Sequence, residues 1–175
     1  MAKHRRMLNN RDTPNIQSLM RLIAAQSKPT VAMWAVDYAE RVLLPLWEQY
    51  CPSDARPRLS LEAARRMIAG SLKWNTGLNI AAQNCNAASA EAENAAARAA
   101  ARAIALSSSA IHSASHSLGL ALYGALAVAY DELGADAPWA AIEARAEAEC
   151  GRMSDALRTV AIENEPNPCR TGWEF

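Results

Sequence analysis

The chain has 175 residues, 51% of them hydrophobic, with 18 basic and 18 acidic side chains that leave no net charge. That is enough to bury a core, but general nucleic-acid binding needs a net basic face and a membrane span needs about 20 unbroken apolar residues. The sequence has neither, so no nucleic acid and no membrane are expected as partners.

The opening Met1–Asn10 is basic like the first region of a signal peptide, yet polar residues stand where its apolar stretch should follow. Residues 1–13 therefore read as a flexible basic arm, solvated or touching anionic surfaces, with no export expected. Asp12 or Thr13 before Pro14 is an N-cap signal, and Leu19, Leu22 and Ile23 follow at helical spacing. A second helix starts near Pro29 and runs over Val31–Leu44, with Trp34, Tyr38 and Val42 on one stripe. Pro45 is expected to kink or end it, because its ring clashes with the preceding turn and it has no N–H. Cys51-Pro52-Ser53-Asp54 reads as a turn.

A third helix opens at Arg56-Pro57 and carries Leu59, Ala63, Met67 and Ile68 to Gly70. Arg58, Glu62 and Arg66 fall at i, i+4 and i+8, the spacing of an ion-pair ladder. Ser71–Gly77, with Lys73 and Trp74, is a short turn or loop. The run Ala81–Ala105 is dominated by alanine, the best helix former, and Arg98 and Arg102 lie one turn apart on it. It predicts a long helix or helix pair that leads into the serine–histidine segment Ser107–His116. Gly119 is expected to end that segment. An apolar helix from Leu120 to near Gly134 follows, then one from Trp139 towards Val160 with a break at Gly151. An irregular tail occupies 164–175.

No strand alternation and no fixed repeat period occur, so the expectation is all-α: a single-domain multi-helix bundle over residues 14–163, with long alanine-rich helices. The cysteines Cys51, Cys85, Cys150 and Cys169 form no C-x-x-C pair, which fits reduced thiols and a cytoplasmic protein. Cys85 reads as a small buried hydrophobe and Cys169 as exposed. Seven scattered glycines make no phosphate-cradling loop, and no cofactor is expected.

His112 and His116 would share a face of a helix, the way two imidazoles hold a metal, but Ser113 stands where zinc metalloprotease helices place a glutamate. Hydrogen-bonded structural histidines explain them more simply. The serines around them form no nucleophile elbow and suit tight helix contact, with hydroxyls bonded to the preceding turn. Asp37 and Glu40 share a helical face onto which Arg56, Arg58 and Arg65 can fold back as an interhelical ion-pair network. Trp34, Tyr38 and Trp47 read as core.

Three segments together resemble a known pattern. They are Trp34-Ala35-x-x-Tyr38-Ala39-Glu40-x-Val42-Leu43-x-Pro45-Leu46-Trp47-Glu48, Pro52-x-Asp54-x-Arg56-Pro57-Arg58-x-x-Leu61-Glu62-Ala63-Ala64-Arg65, and His112-x-x-x-His116-x-Leu118-Gly119-x-x-x-Tyr123. Over about residues 30–130 the chain is similar to the bacterial immunity proteins of polymorphic toxin systems, the five-like class. Tyr38 departs from it by standing where a cysteine is common. The resemblance implies an all-helical cytoplasmic protein, not an enzyme, that binds and neutralises a cognate toxin. Asp37, Glu40, Asp54, Arg56, Arg58, Glu62 and Arg65 are the candidates for partner contact or structural ion pairs. Two rival readings are a metal-dependent helical-bundle enzyme using His112 and His116, and a structural protein that forms a homodimer through an alanine-rich face.

Overall fold

The computed structural model describes residues 4–8, 11–73 and 77–173. Trp74, part of the expected turn after the third helix, lies outside them, as do the ends of the arm and tail. The described residues form helices and no strand. The order is α1 (Pro14–Ala24), α2 (Lys28–Tyr38), a π turn (Ala39–Leu43), α3 (Leu44–Tyr50), α4 (Arg56–Ile68), α5 (Leu78–Glu91) and α6 (Ala95–Ser108). A 3-10 segment (Ala114–Leu118), a second π turn (Leu120–Gly124), α7 (Ala125–Leu133) and α8 (Trp139–Val160) complete it.

The alanine run is two helices rather than one rod. The chain turns extended at Ala92 and Asn94, whose ψ angles are 128° and 132°. Two polar side chains explain the break. Asn94 Oδ1 accepts from the Ala97 N–H at 2.9 Å and so caps the start of α6. The Arg98 guanidinium donates back to the Ala92 carbonyl at 2.7 and 3.1 Å, placing a cation at the C-terminal end of α5.

Helix α6 is the axis of the molecule. Ten of its fourteen residues are buried, and α2, α3, α4, α5, α7 and both π turns pack against it. A helix clad mainly in methyl groups lets neighbours approach from nearly every side, whereas larger side chains would hold them apart. The bulky apolar groups come from the surrounding elements: Ile16, Leu19 and Ile23 of α1, Trp47 of α3, Leu61 of α4, Leu120 and Leu126, and Ile142 and Met153 of α8 are all almost completely enclosed.

Pro45 does not end the second helix, which continues to Tyr50. Immediately before it the ladder widens, and the Leu44 N–H donates to Ala39 O, five residues back. The π turn sits where the proline ring and missing N–H would disturb regular α geometry. Gly119 stands where the serine–histidine segment ends, as the C-cap of its 3-10 turn, and at φ −55° it passes the chain directly into the second π turn. It is glycine for space, since a Cβ there would lie 2.7 Å from Leu106 Cβ. The two π turns meet in the core, where a Cβ on Gly124 would lie 3.1 Å from Leu43 Cδ1.

On α4 the buried face is Pro57, Ser60, Leu61 and Ala64, while Leu59 is 54% exposed. The stripe expected through Leu59 is thus rotated, because α4 seats Ser60 against α6, its Oγ donating to Ser108 Oγ at 2.9 Å. The terminal segments are held as well. The Leu8 N–H donates to Leu122 O at 2.9 Å, Leu8 is buried, and the Tyr130 hydroxyl donates to Arg5 O. In the tail, the Cys169 N–H donates to Gln26 O at 2.8 Å and its thiol to Ile23 O, so Cys169 is half-buried rather than exposed. Burial pushes the Cys85 and Cys150 thiols up to about 12.

Helix α8 runs unbroken through Gly151. A Cβ there would meet only Asn15 Nδ2, at 3.8 Å. Glycine inside a helix loses about 0.5–1 kcal/mol relative to alanine. Gly151→Ala is therefore expected to stabilise the protein by that amount, read as a raised midpoint in urea unfolding at unchanged slope.

Candidate functional site

The candidate surface is the charged side of α4. Pro57 at the start of α4 is preorganised for a first helical turn, and the register that buries Leu61 and Ala64 turns Arg58, Glu62 and Arg65 outward. Arg65 reaches across to the second helix. Its Nη2 bonds Asp37 Oδ1, and its guanidinium holds Glu40 with two bonds, Nη2 to Oε2 at 2.5 Å and Nε to Oε1 at 3.1 Å. The fork geometry makes this a bidentate clamp between α4 and the first π turn. Arg65 is held above the ordinary guanidinium range, chiefly by the Glu40 bonds, with burial opposing.

Arg56 and Arg58 do not reach Asp37 or Glu40. Arg56 turns back on Asp54, with Nη2–Oδ2 at 2.7 Å and Nε–Oδ1 at 3.0 Å, and also bonds Glu91 of α5 at 2.6 Å. Asp54 Oδ1 further accepts the Arg56 N–H at 3.0 Å, so one carboxylate both satisfies the first free N–H of α4 and anchors its first guanidinium. Arg56 holds the Asp54 carboxyl below the usual carboxylate range. Arg58 pairs with Glu48 of α3 and not with Glu62, and among the described residues no ion pair joins Glu62 to Arg58 or Arg66. The ladder is absent because Glu48, from the neighbouring helix, claims Arg58. Glu48 and Glu91 were not among the sequence candidates; each stands far from its partner along the chain.

The histidines do not form a helical i, i+4 face. His112 is exposed in the turn after α6, and His116 lies in the 3-10 segment. Among the described residues no group of three or more His, Cys, Asp or Glu side chains is arranged to hold a metal ion. His116 Nδ1 lies 3.0 Å from Ser109 Oγ. That hydroxyl has one proton and two carbonyls, Ala105 O and Leu106 O, within 3.1 Å, so the imidazole donates from Nδ1. Ser107 and Ser108 donate to carbonyls one turn back, Ala103 O and Ile104 O.

Burial, then the nearby His112, holds the His116 imidazole below its ordinary 6.5. As pH falls from 6.5, the unfolded chain takes up this proton before the folded one does. The stabilisation from His116 is therefore complete above about pH 6.5 and is lost as pH falls through the folded value. Urea midpoints measured between pH 7.5 and about pH 5 are expected to decline, and less steeply in His116→Gln than in the parent.

The polar centre that the sequence did not reveal is buried. Glu149 of α8, 2% exposed, accepts the Tyr38 hydroxyl proton at 2.5 Å on Oε1 and the Arg145 and Arg152 guanidiniums at 2.9 and 3.2 Å on Oε2. Arg145 also holds Glu132 of α7 with Nη2 at 2.7 Å. Burial and the Glu149 bond push the Tyr38 hydroxyl far above the ordinary phenol range. A signal was present: Glu149 interrupts the stripe Ile142, Ala146, Met153 and Leu157, with arginines four residues before and three after it. Trp34 and Trp47 are core with satisfied indoles, donating to Met153 O at 3.2 Å and Asp54 O at 2.9 Å.

These features define a class: an all-α bundle whose polar groups are committed to joining helices, with a charged, ion-paired face turned outward. A family model for the Imm-5 like putative immunity protein matches residues 21–156, and the chain belongs to that family. The match extends at both ends beyond the stretch around 30–130 in which the motifs lie. No curated protein and no solved structure matches the chain. No described helix is long and apolar enough to cross a membrane.

Proposed function

We propose that this protein protects the cell that makes it by binding a cognate bacterial toxin in the cytoplasm and blocking it, without chemistry of its own. Membership of the immunity family over residues 21–156 carries this reading. The α4 face supports it: Asp37, Glu40, Asp54, Arg56, Arg58, Glu62 and Arg65 put charges of both signs, half-buried to exposed, on α4 and the elements beside it, and charge complementarity speeds capture and suppresses wrong partners. Internal pairs already orient all of these groups except Glu62, so little side-chain freedom remains to be lost on binding.

Co-expression with the toxin encoded beside it tests the reading. Cells are expected to survive with the protein and to die without it; equal killing in both overturns it. Reversing the least committed charge, Glu62→Lys, is expected to weaken toxin capture at least 10-fold without moving the melting temperature. Light scattering of the purified protein tests whether a homodimer forms.

A further inference from the structure

A second charged feature lies between α5, α6 and the N-terminal segment. Arg98 and Arg102, one turn apart on α6, face Arg5 and Arg6 across a cleft of about 480 Å³, with Asn86 of α5 and Tyr123 of the second π turn on its walls. Among the described residues no carboxylate lines it. Among the described residues none of the four guanidiniums has a carboxylate oxygen within 4 Å; on the rim, His4 Nε2 lies 3.8 Å from Asp136 Oδ1. This contrasts with the α4 face, where Arg56, Arg58 and Arg65 each hold one or two carboxylates.

Three of the four cations are positioned by neutral groups that leave their charge unneutralised, and the fourth, Arg6, is exposed at the rim. Arg98 bonds the Ala92 carbonyl, Arg102 bonds Asn86 Oδ1 at 2.5 Å and lies 5.7 Å from the Tyr123 ring, and Arg5 lies 4.2 Å from the Trp139 ring. The Arg5 backbone is fixed by its bond from Tyr130. In a chain with no net charge, four guanidiniums gathered around one concavity repel one another unless an anion joins them.

We propose that this cleft binds a compact phosphate anion carrying two or more phosphates, a pyrophosphate or the diphosphate end of a nucleotide. Guanidinium forks match phosphate oxygens in pairs, and a diphosphate brings the three charges or so that four arginines can share. The volume is that of a small-ligand site. This site lies outside the candidate toxin surface and stands or falls separately from it.

Calorimetric titration of the full chain with inorganic pyrophosphate, ADP, citrate and poly-glutamate tests the assignment. Pyrophosphate and ADP are expected to bind saturably at one site per chain, at least 10-fold tighter than citrate or poly-glutamate. Arg6→Ala, at an exposed position with no side-chain bond to lose among the described residues, is expected to weaken pyrophosphate at least 5-fold, and Arg102→Gln to weaken it further. Circular dichroism checks that each variant keeps its helicity; if Arg102→Gln unfolds, Arg6→Glu replaces it with the same expectation. The proposal is overturned if pyrophosphate gives no saturable binding, if the arginine variants bind it like the parent, or if the carboxylate ligands bind as well, which would make the cleft a dock for an acidic protein segment.

Discussion

Glu149→Ala is expected to lower the free energy of unfolding by about 3 kcal/mol, the scale on which removing one partner of a buried ion pair acts. The carboxylate is 2% exposed and serves three donors at once. Alanine leaves the Tyr38 hydroxyl buried without its acceptor and Arg145 with Glu132 alone. Because Arg145 keeps that partner and Arg152 is 67% exposed, the loss belongs at the low end of the range for buried pairs. In a chain of this size, about 3 kcal/mol corresponds to a melting temperature lower by roughly 6–12 °C. Tyr38→Phe deletes only the hydroxyl and is expected to cost about 1.5–2 kcal/mol, as for a hydrogen bond to a charged group. Since the two side chains share one bond, the double variant should fall short of the sum of the singles. A loss below about 1 kcal/mol for Glu149→Ala would show that water reaches the carboxylate and that the network does not hold α8 to α2.

Ala103→Leu is expected to be comparably damaging for the opposite reason. Ala103 is completely enclosed on α6, and its Cβ lies 3.5 Å from the point where a Cβ on Gly124 would sit. Three further carbons have no space unless α6 and the second π turn separate, so the cost should lie at or above about 3 kcal/mol, the upper end for overpacked cores. The same change at Ala141, on the exposed side of α8, is expected to stay within about 0.5 kcal/mol. Urea unfolding of the pair separates packing from helix propensity, since leucine and alanine are both good helix formers. Near-equal midpoints for the two variants would refute the tight central packing of α6.

Much of the fold was legible along the chain because helix signals are local. Pro14, Ser27-Lys28-Pro29 and Arg56-Pro57 mark starts, and Gly134, at φ 81°, marks the end of α7. Errors came where a distant group overrode a local rule. Gly151 lies within a helix held along its length by α1 and α7, and the expected Arg58–Glu62 pair gave way to Glu48 of another helix. Neither neighbour can be read from spacing.

The candidate site divides in the same way. Asp37, Glu40 and Arg65 do converge, since they lie on consecutive long helices that pack together, but Arg56 and Arg58 point to Glu91 and Glu48 instead. His112 and His116 are four apart in number only, because the chain leaves the α-helix before them.

The order of helical elements, the immunity-family motifs and the methyl character of the central rod are properties of the sequence alone, because they depend on backbone preference and side-chain size. Which charges meet between helices was decided only by tertiary structure. The Tyr38–Glu149 bond and the arginine cleft both bring together groups that are remote along the chain and meet only when the helices pack around α6, and charge interactions are felt through space rather than along the backbone.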